Sequence, residues 1–143
     1  MDNKTRRPLG FPENINHLPT KQFQYYCSAG SLNAHGRHIV DEMFNKALEA
    51  GIKVSGMNAE VAPGQWDIQV GPCVGIDAGD HLWMLRYIME RVTEKYNCHV
   101  SLHAKPVLGN WNGSGCHTNY STKLMRDVNG YKHIKDAIDK LAQ

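Results

Sequence analysis

Met57-Asn-Ala-Glu-Val-Ala-Pro-Gly-Gln-Trp-Asp-Ile-Gln-Val70 is the stretch whose reading decides the fold. Two short runs, Met57 to Val61 and Trp66 to Val70, flank Ala62-Pro63-Gly64-Gln65, and Pro followed by Gly between extended runs signals a turn. The pattern predicts an antiparallel β-hairpin over 57–70, closed by a four-residue loop. Successive strand residues point to opposite faces. Trp66, Ile68 and Val70 therefore share one face, Asp67 and Gln69 the other, and Asn58 and Glu60 share a face of the partner strand. If Val61 pairs with Trp66, Glu60 stands opposite Asp67 and Asn58 opposite Gln69, which sets two carboxylates with Cβ atoms roughly 5 Å apart. Like charges so placed destabilise a strand pair unless something offsets them. A divalent cation would do so, and oxygen ligands suit Mg²⁺ or Mn²⁺. Water around a solvated polar face would do so as well, and the hairpin alone leaves both readings open.

Helical patterns lie on either side. Ile39, Val40, Met43, Phe44, Ala47 and Leu48 recur at helical spacing from His38 to Ala50, and Gly51 is placed as a C-terminal cap. A second helix is predicted from about Gly79 to Tyr96, with Leu82, Leu85, Ile88, Met89 and Val92 as its buried stripe and Asp77 or Asp80 as its cap. Cys98 to Leu102 alternates as a strand. Residues 105–115 form a glycine-rich loop, 116–121 are extended, and a last helix begins near Gly130 with Ile134, Ala137, Ile138 and Leu141 on one face. Residues 1–25, rich in Pro and Asn, read as loop. Helices packed on a sheet containing a hairpin make a mixed α/β or α+β layer.

The 143 residues suit a single domain or part of one, taken as one unit over 1–143. A net charge of +2 gives no pointer to nucleic acid or a membrane surface, and no apolar run approaches the ~20 residues of a membrane span. Cys27, Cys73, Cys98 and Cys116 contain no CxxC pair and read as reduced thiols of a cytoplasmic protein. Cys98-His99 and Cys116-His117 are adjacent residues, unlike the short paired spacings of structural zinc sites. His99, Ser101 and His103 share a strand face, where a hydrogen-bonded structural histidine is the favoured reading of His99.

The loop Asn110-Trp-Asn-Gly-Ser-Gly115 is followed by Cys116-His-Thr-Asn-Tyr-Ser-Thr-Lys123. Glycines let backbone approach a ligand closely, and His117, Asn119 and Ser121 alternate onto one face. The absence of Gly-Lys-Ser/Thr at the required spacing excludes a Walker A motif.

Two motifs together carry a resemblance. Asn58-Ala-Glu-Val-Ala-Pro-Gly-Gln-Trp-Asp-Ile-Gln-Val-Gly-Pro72 resembles the hairpin of eukaryotic-type glutamine synthetases. Lys105-Pro106, with Gly109 to Lys123, resembles their glutamate- and ATP-binding loop. Tyr25-Tyr-Cys27, Gly36-Arg37 and Gly79-Asp-His-Leu-Trp83 fit the same family in the same order, so the likeness runs from about Pro8 to the C-terminus.

The resemblance implies an α+β fold, part of a glutamine synthetase catalytic domain. It implies ATP-dependent ligation of ammonia to L-glutamate through γ-glutamyl phosphate, with Mg²⁺ or Mn²⁺. By position it implies Glu60, Asp67 and His117 as metal ligands and catalytic groups. Asn110, Trp111, Asn112 and Gly113 would hold glutamate. Asp67, Ile68, Gln69, Val70, Gly71 and Pro72, together with His117, Thr118, Asn119, Ser121 and Arg126, would lie along ATP. A homo-oligomeric ring is implied for the full-length parent.

Two departures qualify these expectations. The family has Glu where this sequence has Asp67, a carboxylate shorter by one methylene. Family chains are also more than twice as long, beginning with a small β-grasp domain and carrying two further metal-binding glutamates ahead of a segment that Pro8-Leu-Gly-Phe-Pro12 resembles. This implies a central fragment without the β-grasp domain, holding about half of each metal site and inactive in isolation. The alternative is a non-catalytic, truncated relative that binds metal or partner subunits without turnover.

Overall fold

The computed structural model describes residues 1–14, 16–17 and 21–142. Its centre is the hairpin of β1 (Val54–Ala59) and β2 (Trp66–Val70), which form a two-stranded antiparallel sheet. The register pairs Asn58 with Asp67, Ala59 with Trp66 and Met57 with Ile68, and it slips between Val54 and Gly56. The expected pairing of Glu60 with Asp67 is therefore corrected by two positions. Glu60 instead meets Gln65, donating its backbone N–H to the Gln65 carbonyl at 2.9 Å, while Gln65 N–H closes onto the Ala62 carbonyl at 3.3 Å. Pro63 and Gly64 occupy the middle of that turn and Gly64 has φ +68°. A Pro followed by a residue with positive φ fits a type II turn, and with this turn the closing pair moves from Val61–Trp66 to Glu60–Gln65, one residue toward the N-terminus on both strands. A shift of two residues preserves face parity, so Glu60 and Asp67 still share a face.

Helix α1 (Arg37–Glu49) ends as its sequence predicts. Gly51 takes φ +74°, its N–H bonds to the Leu48 carbonyl at 3.0 Å, and Ile52 N–H bonds to the Ala47 carbonyl at 2.9 Å. This is a Schellman termination, and its usual apolar contact is present because Ala47 and Ile52 are buried in one cluster. Ile39, Val40, Met43 and Ala47 form the buried stripe, whereas Leu48, expected on it, is 50% exposed.

Helix α2 (Asp77–Thr93) continues into a 3₁₀ turn at Glu94–Tyr96. Its N-cap is Ile76, and neither Asp77 nor Asp80 caps it. Both lie in the first turn, where the helix dipole favours a carboxylate, and Asp77 pairs with Lys53 at 3.2 Å. Helices α1 and α2 pack on each other and on the apolar face of the hairpin. Met57, Trp66 and Ile68 meet Ile39, Val40, Met43, Val92 and Cys98, while Val54, Ile68 and Val70 meet Ala47, Ile52 and Leu85.

The strand expected over Cys98 to Leu102 is not formed. Cys98 makes a single bridge to Asp2, and 99–102 have no ladder partner among the described residues. His99 is tied instead to Asn3, with its Nδ1 2.7 Å from the Asn3 Oδ1. Residues 116–121, expected to be extended, have no assigned strand or helix; Leu124–Arg126 form a 3₁₀ turn, and α3 (Tyr131–Leu141) follows. Its apolar face lies mostly open, with Ile138 58% and Leu141 87% exposed.

Candidate active site

Packing one face of the hairpin against two helices turns the other outward, and the outward face is polar. Asn58, Glu60, Asp67 and Gln69 form one hydrogen-bonded row on it. The Gln69 side-chain amide donates to Asp67 Oδ2 at 2.8 Å and to Asn58 Oδ1 at 3.0 Å, and Asn58 Nδ2 donates to Glu60 Oε1 at 3.3 Å. Two neutral amides thus stand between the two carboxylates and spread their repulsion. Gly56 makes room for the row, since a Cβ there would come within 2.6 Å of Gln69 Oε1. Glu60 is half-buried and Asp67 exposed.

The segment before α1 lies alongside. Phe23 N–H donates to the Val61 carbonyl at 2.7 Å and Cys27 N–H to the Ala59 carbonyl at 2.9 Å, which brings Tyr26 to the carboxylate face. The adjoining Cys27 thiol, then the negative charges of Glu60 and Asp67, push the Tyr26 phenol above its ordinary pKa.

The glycine-rich loop is fastened to the hairpin turn by side-chain amides. Gln65 accepts from Asn112 Nδ2 at 2.9 Å through its Oε1 and donates from Nε2 to the Gly113 carbonyl at 2.9 Å and Ser114 Oγ at 3.3 Å. Gln22 grips the same loop from the other side, donating to the Asn110 carbonyl at 2.7 Å and accepting from Asn112 N–H at 2.7 Å. Lys105 Nζ donates to the Trp111 carbonyl. The Trp111 ring lies 5.0 Å from Phe11, over which Arg7 stacks. Asn110, Trp111, Asn112 and Gly113 are thus held beside the carboxylate hairpin.

The remaining expected residues are placed less tightly. Ile68 and Val70 turn their side chains into the core, leaving Asp67 and Gln69 as the side chains that β2 presents outward. His117, Thr118, Asn119 and Ser121 are exposed. Arg126 donates to the Ser121 carbonyl at 2.9 Å and to its Oγ at 2.7 Å, closing a local turn. No cluster of three or more His, Cys, Asp or Glu suited to a metal is gathered among the described residues, so His117 does not join Glu60 and Asp67. The two carboxylates share this face, each capped by an amide N–H of Asn58 or Gln69, and their oxygens are the hard donors that Mg²⁺ or Mn²⁺ takes.

Sequence reasoning passed over Gln22 and Gln65. Gln65 was legible only as part of a turn, and Gln22 lies in a stretch without periodicity, where no local signal marks a residue whose partners are 88 and 90 positions away.

Residues 2–139 match the family described as glutamine synthetase, catalytic domain. The chain is 54% identical over 136 residues to glutamine synthetase of Xenopus laevis, covering 95% of this chain and 34% of that protein. It is 52% identical to that of Gallus gallus, covering 95% of this chain and 36% of that one. It is 54% identical to glutamine synthetase root isozyme 1 of Zea mays, covering 95% and 38% respectively. The chain therefore spans a little over a third of the length of these relatives.

Proposed function

The chain belongs to the glutamine synthetase family, and we propose that, as part of a longer enzyme, it serves the ATP-dependent ligation of ammonia to L-glutamate. The observation that carries this reading is the joining of the Glu60–Asn58–Gln69–Asp67 row to the 110–114 loop through Gln65. Such a joint puts an acidic face and a glycine-rich loop in fixed relation, as phosphoryl transfer to a bound acid requires.

In this reading the glutamate side-chain carboxylate takes the γ-phosphoryl of ATP, leaving ADP, and ammonia then displaces phosphate to give glutamine. Asn110, Trp111, Asn112 and Gly113 line the glutamate. Asp67 to Pro72, with His117, Thr118, Asn119, Ser121 and Arg126, run along ATP. Glu60 and Asp67 hold a divalent cation, with His117 serving a second, and these ions supply charge neutralisation on the transferred group when bound. A cytoplasmic setting and a homo-oligomeric ring belong to the same proposal. Exposed Trp83 and Tyr87 on α2 and the open face of α3 are apolar surfaces available to neighbouring segments.

The test is a chimera in which residues 2–139 replace the matching segment of the Xenopus laevis relative, assayed for γ-glutamyl hydroxamate with ATP and Mg²⁺. Product well above a heat-killed control is expected. A folded chimera without product would favour the non-catalytic reading, toward which the short Asp67 already leans.

A further inference from the structure

Gln65 belongs to two structures at once. Its backbone carbonyl receives the Glu60 N–H at 2.9 Å, and its side chain makes three hydrogen bonds to Asn112, Gly113 and Ser114. Gln22 closes the opposite side of the same loop through the Asn110 carbonyl and the Asn112 N–H, both at 2.7 Å. Asn112 is therefore held twice, by its backbone to one glutamine and by its side chain to the other. A loop with glycines at 109, 113 and 115 has little local preference for one shape. Its shape has to come from such long-range bonds.

We infer that Gln22 and Gln65 are paired positioning residues, which set the glutamate-facing loop in register with the Glu60 carboxylate. This rests on the proposed ligase reading for its substrate, but the clamp itself is a property of this chain. Neither residue has to touch a substrate. Gln65 acts by transmitting the placement of the hairpin turn to Asn112, and Gln22 by preventing the loop from lifting away.

Amide hydrogen exchange on the full chain tests the clamp directly, with Gln22→Met and Gln65→Met keeping side-chain length while removing the polar ends. The Asn112 N–H should exchange about tenfold faster in Gln22→Met, the loss of one hydrogen bond. The Asn112 and Ser114 N–H groups should exchange severalfold faster in Gln65→Met. The Ile52 N–H, bonded to Ala47 in the core, should be unchanged in both and so reports that the fold is intact. Unchanged exchange at Asn112 in both variants would overturn the clamp.

The same substitutions in the Xenopus laevis chimera test its purpose. The glutamate KM should rise about tenfold or more, while the ATP KM stays within about twofold, as displacement of a positioning element demands. A fall in kcat with the glutamate KM unchanged would overturn the assignment. If the unsubstituted chimera forms no product, the ligase reading fails, and the exchange data still decide the clamp.

Discussion

Gly64 lies directly beneath Leu9. A Cβ built on Gly64 would stand 2.5 Å from the Leu9 carbonyl oxygen and 2.8 Å from its backbone nitrogen. The N-terminal segment thus closes over the tip of the hairpin at a distance only hydrogen allows, and the φ of +68° independently favours glycine. Gly64→Ala should destabilise the protein by about 2–4 kcal/mol, combining a strained backbone with a contact that backbone atoms cannot relieve cheaply. A urea midpoint equal to that of the parent would refute this.

The core and the surface of neighbouring helices should respond differently to the same truncation. Leu85, 2% exposed between α1 and the hairpin, should cost about 2–5 kcal/mol as Leu85→Ala. Leu48 on α1 is half exposed, and Leu48→Ala should cost only about 0.5 kcal/mol. Paired chemical denaturation curves would show whether the ranking holds.

Glu42 gives stability an acid limb. Lys95 first, then the Tyr96 hydroxyl at 2.5 Å, hold its carboxyl below the ordinary glutamate range. A carboxylate with a depressed folded pKa stabilises the fold above its unfolded pKa of about 4.3, and that contribution fades as pH falls through the lower folded value. Glu42→Gln should lower stability at pH 7 and flatten the decline below about pH 4. The bond to Glu42 also raises the Tyr96 phenol, so its contribution is complete below about pH 10 and is lost as pH rises through the higher folded value. Urea midpoints measured from pH 3 to pH 11 for both forms would expose either limb.

Asp67 should prove too short. Gln69 holds its carboxylate back along the strand at 2.8 Å, and a glutamate would reach farther by roughly one carbon–carbon bond, about 1.5 Å. Mg²⁺ tolerates little geometric error. In the Xenopus laevis chimera, Asp67→Glu should lower the Mg²⁺ concentration for half-maximal activity severalfold. An unchanged or higher requirement would mean that the site is fitted to aspartate.

Residues close in sequence were enough to reveal much of this molecule. Most of the α1 stripe and its Gly51 ending, Leu85 and Val92 of the α2 stripe, and the two faces of the hairpin follow from periods of 3.6 and 2, which local backbone geometry imposes. The family was legible for a related reason, since two long motifs in order carry far more information than any single pattern.

What tertiary structure decided lies where distant segments meet. The alternation of residues 57–70 does not distinguish registers two apart, because both keep every side chain on its own face, and the turn at Pro63-Gly64 made that choice. Cys98 to Leu102 has a strand's alternation, but a strand exists only where a partner ladder does, and Cys98 alone finds one, at Asp2. Gln22 carries no local signature, and Gln65 only that of a turn residue. Their roles arise because hydrogen bonds join the Pro- and Asn-rich start of the chain, the hairpin turn and the glycine-rich loop, and such bonds are specified by the packed fold rather than by sequence spacing.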